Sequence, residues 1–214
     1  MQKLIFLFLI SFFNSFSHIE FENYSLSGIG SISIPNTMEL QSGKYKEIHD
    51  KLEVKVAEKF KYEITGNAIV FQQKGLNELE KKSFTSYARI MLDTDIGSPG
   101  DYQKATTKIA PTSNEIKELN SDLKTQVIDG FKGTQLKLID WYGCSFVIIN
   151  GKQCLKVSCK RQLGSNPEVH VDLYRFQNND RMHTLTISYR VSDTETVKPI
   201  FTKVFNSFKL TNIR

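Results

Sequence analysis

The chain has 214 residues, a formal net charge of +5, and 40% hydrophobic against 24% charged residues. That length suits one domain able to bury a substantial core. The positive excess is small and its Lys are interspersed with Glu and Asp. This argues against a dedicated nucleic-acid surface and leaves open a general preference for anionic surfaces.

Residues 1–17 have the layout of an export signal. Lys3 is the positive start, Leu4 to Phe13 the apolar run, and Ser15-Phe16-Ser17 a small-x-small cleavage site. The apolar run is about ten residues, against the roughly 20 that a membrane-spanning helix needs. A buried or interfacial N-terminal helix is the alternative reading. No cysteine follows that run to carry a lipid anchor, and no later segment is apolar enough to span. The expectation is a single mature domain, residues 18–214, exported to the periplasm or outside the cell.

After a polar stretch, Gly28 to Ile34 alternates apolar and small residues and stops at Pro35, which predicts a strand. Tyr45, Ile48, Leu52, Val56 and Phe60 recur at three- and four-residue steps, predicting a helix over 44–60. The β-branched Val54 and Val56 leave a strand at its end open. Asn67 to Gln73 reads as a strand, Lys74 to Phe84 as a charged surface connection, and Tyr87 to Asp93 as another strand. The segment with Asp95, Gly97, Pro99 and Gly100 is either a pocket-bordering loop or merely a long connection. Thr112 and Glu115 mark a helix start, with Ile116, Leu119, Leu123 and Val127 on one face and Gly130 at its end.

Residues 134–191 read as four consecutive antiparallel strands. Their turns are Asn150-Gly151, Gly164 to Pro167, and Asn178 to Asp180. A last helix is expected over Ser192 to Ser207, with Pro199 in its first turn and an apolar edge of Ile200, Val204, Phe205 and Phe208. Leu210 to Arg214 reads as a short tail.

Alternation in the meander defines two faces. Leu155, Val157, Cys159, Val169, Val171, Leu173, Leu185, Ile187 and Tyr189 make an apolar one that helices must cover. The other carries Ser158, Lys160, His170, Asp172, Tyr174, Thr186, Ser188 and Arg190. A three-residue turn at Asn178 to Asp180 would pair Tyr174 with Thr184, Asp172 with Thr186, His170 with Ser188 and Glu168 with Arg190. Lys160 should lie near Asp172 if the preceding hairpin keeps the apolar faces together.

The Asn150-Gly151 turn places Cys144 opposite Val157, with Cys159 diagonal to it at about 7–8 Å, beyond ordinary disulfide reach. Three buried or half-buried thiols are expected. A Cys144–Cys159 bridge is the alternative and needs a bulge near Gly143.

The segment CLKVSCKRQLGSNPEVHVDLYRFQNNDRMHTLTISYRVSD, the closing FNSFKL and the early ISIPNTMEL together resemble the PsbP-like superfamily. The shared pattern is an early strand ending in a Pro turn, a later antiparallel meander and a terminal helix ending in Ser-Phe. Ile34-Pro35 and Ser207-Phe208 carry it at residue level. The resemblance implies an α+β fold, an α-β-α sandwich with the sheet centred on the meander, and a non-enzymatic accessory or binding role. It carries no catalytic motif.

The polar set from Ser158 to Arg190 is the candidate ligand or partner surface, with a solvated sheet face as the plain alternative. His170 beside Asp172 is also raw material for acid–base chemistry, so a hydrolase is the rival function. Ser158 and Ser188 sit mid-strand without a nucleophile turn, which speaks against a Ser-His-Asp site. His18, His49, His170 and His183 never fall at metal-binding spacing, and neither Cys-x-x-Cys nor a calcium loop occurs. No metal and no cofactor are expected. His183 is read as a satisfied core or edge histidine. Trp141, the only tryptophan, is read as core packing at a bulged strand, or as an aromatic anchor for a partner. The partner expected is an envelope protein or a small ligand.

Overall fold

The computed structural model describes residues 19–60 and 68–214, excepting the side chains of 52–60. The export-signal segment and Asn67 lie outside the described residues.

Ten strands and three α-helices are described. The meander forms as expected: β6 (Leu136–Ile149), β7 (Lys152–Leu163), β8 (Val169–Gln177) and β9 (Arg181–Arg190). Asn150 and Gly151 both adopt positive φ, as the tight hairpin turn requires, and Ile149 pairs with Lys152 and Cys144 with Val157. The meander is extended by β5 (Ala88–Ile96), β4 (Ile69–Gln73) and β3 (Met38–Leu40) into a seven-stranded antiparallel sheet, ordered β3-β4-β5-β9-β8-β7-β6. Edge strand β6 is bulged twice, at Ile139 and at Tyr142.

A second sheet joins chain segments that the alternation pattern does not reveal. The polar stretch before Gly28 contains β1 (Phe21–Leu26), which pairs with β2 (Gly30–Pro35). The expected tail contains β10 (Lys209–Leu210) on the other side of β2, so the order is β1-β2-β10. Gly30 lets this happen, because a Cβ there would stand 1.8 Å from the Lys209 carbonyl oxygen.

The core runs between the two sheets. Phe71, Ile90 and Ile187 are in register across β4, β5 and β9, and Leu92, Leu185 and Tyr174 follow across β5, β9 and β8. These side chains are buried with Leu26, Ile32 and Ile34 of the small sheet and with Phe201, Val204 and Phe208 of α3 (Thr194–Ser207) and its end. Ring contacts join the layers: Tyr24–Phe71 at 4.8 Å, Tyr174–Phe205 at 4.3 Å and Phe176–Phe208 at 4.9 Å. Each such side chain, removed from water, contributes roughly 1.5–3 kcal/mol.

The opposite face of the large sheet receives α2 (Ser113–Phe131). Thr112 and Glu115 close the expected capping box, and Ile116, Leu119, Leu123 and Val127 turn inward. Asn120 fastens the helix to β6, its Oδ1 accepting from the Trp141 indole N–H at 2.9 Å and from the Cys144 amide at 3.0 Å. The Tyr142 bulge and Gly143, at φ +99°, let the strand meet that side chain.

Four details differ from expectation. Gly130 is inside α2, which continues to Phe131. Pro199 stands beyond the first turn of α3, so the Glu195 carbonyl lacks its usual donor. α1 (Gly43–Phe60) forms as expected and is helical through Val54 and Val56, but its stripe is not all inward. Its Ile48 is exposed, while the rest of the proposed stripe, Tyr45 excepted, lies outside the described side chains. The Lys74–Phe84 connection is more than surface, since Leu76 and Ser83 are buried in it. No helix among the described residues is long and apolar enough to cross a membrane.

Candidate functional site

The β8–β9 turn decides which side chains share a face. It has two residues rather than the expected three: Asn179 and Asp180, closed by the Asn178 amide donating to the Arg181 carbonyl at 2.9 Å. Asn179 takes φ +65°, which an asparagine tolerates, and Arg181 grips Asp180 through two bonds of 2.9 and 3.0 Å. Asn178 is fully buried. Its side chain donates to the Asn212 carbonyl and accepts from the Arg214 amide, tying the chain's end to the turn.

A register change of one residue sends every side chain of a strand to the other face. Tyr174 therefore pairs with Leu185, Asp172 with Ile187, His170 with Tyr189 and Val169 with Arg190. The expected polar set divides in two. Ser158, Lys160, His170, Asp172 and Tyr174 lie on the same face as Leu185, Ile187 and Tyr189, beside α3. Thr186, Ser188 and Arg190 lie on the face that carries Val171, Leu173 and α2. There Ser188 is buried with its hydroxyl 3.1 Å from the Tyr87 hydroxyl, and Arg190 donates to the carbonyls of Thr85 and Phe84. The Glu168–Arg190 pair does not form, because the register sets Val169 opposite Arg190; Glu168 is instead held by Lys160 at 2.9 Å.

The first group is centred on Asp172, whose side chain is 17% exposed. Its Oδ1 accepts from the Ser158 hydroxyl, directly across on β7, and lies 3.3 Å from both His170 Nε2 and Lys156 Nζ. Burial pushes this carboxyl up. The bonds from His170 and Ser158, with the charge of Lys156, overcome that and hold it below its ordinary value. The His170 ring lies between Tyr142 and Tyr189, with centroids at 5.7 and 5.1 Å.

Lys160 does not reach Asp172 as expected. It bridges Asp140 at 2.8 Å and Glu168 at 2.9 Å, and these bonds raise it above an ordinary lysine. The cation that meets Asp172 is Lys156, which also sits 5.5 Å from the Tyr174 ring centroid. Tyr174 is raised by burial and then by the Asp172 charge.

Between this cluster and α3 is a recess of about 200 Å³, walled by Lys156, Asp172, Tyr174 and Tyr189 on the sheet and by Lys198 and Phe205 on the helix. The sequence reading missed Lys156, Lys198, Asp140 and Tyr142. Lys156 alternates in phase with Ser158 and was within reach; the β6 bulges hide the other strand residues, and Lys198 joins only through tertiary packing.

His183 is a satisfied core histidine, as expected. It is fully buried, with Nδ1 2.9 Å from the Thr94 hydroxyl and Nε2 3.4 Å from Asn178 Nδ2. Burial depresses it to about 4. Cys144, Cys154 and Cys159 are free thiols, so the Gly143 bulge serves α2 rather than a disulfide. Among the described residues no cluster of His, Cys, Asp and Glu has the arrangement of a metal site.

Neither a protein-family model nor a curated protein matches the sequence. Solved structures do match by shape. One is a Bacteroides thetaiotaomicron protein, with 7% identity, 88% of this chain and 48% of that one covered, and a TM-score of 0.44. Another is a Pseudomonas aeruginosa protein of unknown function, with 11% identity, 89% and 97% covered, and a TM-score of 0.42. The solution structure of cyanobacterial PsbP from Synechocystis sp. PCC 6803 is similar over 92% of this chain and 96% of that one, at 17% identity and a TM-score of 0.52. The antiparallel meander, the covering helices and this similarity along nearly the whole of both chains give the protein a PsbP-like fold.

Proposed function

We propose that the protein is an exported accessory domain, non-catalytic, that holds a small ligand or an envelope protein at the recess between α3 and the Asp172 cluster. The observation that carries this reading is the commitment of Asp172. One carboxylate oxygen gathers Ser158, His170 and Lys156, so the acid is the hub of the cluster. A hydrolytic triad needs the histidine at the hub, bonded to the acid by one nitrogen and to the nucleophile by the other. Ser158 instead donates its hydroxyl hydrogen bond to the Asp172 carboxylate, and His170 lies between two tyrosine rings. These features favour recognition over the rival hydrolase. The cations bordering the recess are Lys156, which also meets Asp172, and the exposed Lys198 across from it, with Tyr174, Tyr189 and Phe205 as aromatic walls.

The test has two arms. Cell fractionation with N-terminal sequencing should find the mature chain outside the cytoplasm, starting near residue 18. Pulldown from envelope extracts, with mass spectrometry of proteins and extracted small molecules, should recover a ligand or partner on the wild type and lose it on Lys156→Ala/Lys198→Glu. Failure to recover anything reproducible, or equal recovery on the variant, would refute the reading. Turnover of generic ester or peptide substrates that disappears in His170→Ala would favour the hydrolase.

A further inference from the structure

The face opposite the Asp172 cluster has a cavity that this reading does not use. It opens between the C-terminal half of α2 and the start of β6 and measures about 480 Å³. Ile128, Phe131, Leu138 and Trp141 supply its apolar lining, and Ile128 is 42% exposed although it lies on a helix with a buried face elsewhere. Three lysines also line it: Lys124, Lys132 and Lys137, all exposed. Lys132 is paired with Asp129 at 2.7 Å. Lys124 and Lys137 have no carboxylate partner among the described residues.

Leu136 is shared with a second cavity of about 390 Å³, where Leu163, Val169 and Tyr87 stand beside Arg161 and Arg190. Leu163 there is 47% exposed. The first cavity is an apolar trough that meets the second at Leu136, and among the described residues cations but no acidic side chains line either.

We propose that this trough binds a single-chain anionic amphiphile, its acyl chain along Ile128, Leu136 and Leu138 and its acidic head against Lys124 and Lys137. The volume is within the range of about 300–1,000 Å³ usual for small-molecule sites. The depression is open to solvent, so what favours an amphiphile is its make-up. An apolar floor with two lysines that have no carboxylate partner among the described residues suits one chain with one acidic head. An acidic amphipathic peptide is the competing occupant that the titration separates. Apolar lining removes the chain from water, and unpaired lysines select a carboxylate or phosphate head over a cationic one.

Trp141 makes the test direct, because it lines the cavity and is the only tryptophan. Purified protein is titrated with dodecanoate below its micelle concentration while Trp emission is recorded, with dodecyltrimethylammonium and an acidic amphipathic peptide as comparisons. The expected result is a saturable blue shift with dodecanoate, at least tenfold weaker with the cationic amphiphile and absent with the peptide. Ile128→Asp should abolish the response, and Lys124→Glu/Lys137→Glu should weaken it at least tenfold. Both sites face solvent, and circular dichroism with thermal melts will verify that the variants fold. No saturable response, equal response to the two head groups, or a response to the peptide alone would overturn the proposal. None of these results bears on the recess beside α3.

Discussion

Asp172 and His183 are both proton-sensitive, in separate pH windows. His183 ionises near 6.5 when unfolded and near 4 when folded. The native state therefore binds fewer protons than the unfolded state between those values, and stability rises with pH across the window. The contribution is complete above pH ~6.5 and is lost as pH falls toward 4, about 3 kcal/mol in all. The geometry gives the same sign: a proton on Nε2 would face the donating amide of Asn178. Urea unfolding at pH 7 and 4.5 should show this loss in the wild type and little of it in His183→Gln. Asp172 acts lower. Its folded carboxyl is held below its ordinary value, so its contribution is present above the unfolded value of ~3.9 and is lost as pH falls through the folded one. Asp172→Asn should cost about 1–3 kcal/mol at pH 7 through the loss of charged hydrogen bonds. It should also remove the loss of stability that the wild type shows below pH ~3.9 as this carboxyl is protonated. Had His170 been paired with Ser188, as a longer turn would require, Tyr189 would be on the other face. Thr186 and Ser188 would then border the cluster in place of Ile187 and Tyr189. The side chain of Asn178 serves the chain's end instead of the loop, and nothing in local sequence announces that.

At the scale of elements, what is visible in sequence is what local chemistry specifies. Asn150-Gly151 demands positive φ at both positions and sets the β6–β7 register; Thr112 and Glu115 cap α2 reciprocally. Strands β1 and β10 are different. Phe21–Leu26 alternates weakly and Lys209–Leu210 is two residues long, so each exists only because β2 offers it an edge. Gly30 is the hinge of that arrangement. Gly30→Ala should displace Lys209–Leu210 from β2, at a cost of about 2–4 kcal/mol typical of a backbone clash in a packed site. Hydrogen exchange would read it as lost protection around Ile29 and Leu210, with β7 and β8 unchanged. Equal protection in the variant would mean that β10 does not depend on this close approach.

For the whole molecule, the three cysteines stay free as expected, and the alternative Cys144–Cys159 bridge is not made. Burial pushes the Cys154 thiol up to about 12 and raises Cys144 and Cys159, so all three resist ionisation. The melting temperature should be the same with and without reductant. Thiol reagents should label the three cysteines slowly in the native protein and at once in urea. Stability comes from the two-sided packing of one large sheet, with α3 and the small sheet on one face and α2 on the other. Periodicity marks the meander and the helices. The small sheet and the split of the helices between two faces are not legible in it, and which polar residues share a face depends on one turn.

The bulges that let β6 meet α2 have a consequence for life in a concentrated compartment. Among the described residues the strand's outer edge has no neighbour in the sheet, and a bare edge invites a foreign strand to add. Ile139 and Tyr142 distort it only over its first half. From Cys144 to Ile149 it runs straight, with Ile148 59% exposed. Assembly into fibrils or unwanted dimers should start there, and Ile148→Lys should delay light scattering in concentrated, gently heated samples without lowering the melting temperature by more than a degree or two. The device that secures the helix thus also guards half of the sheet's open margin and leaves the other half to the surface charge.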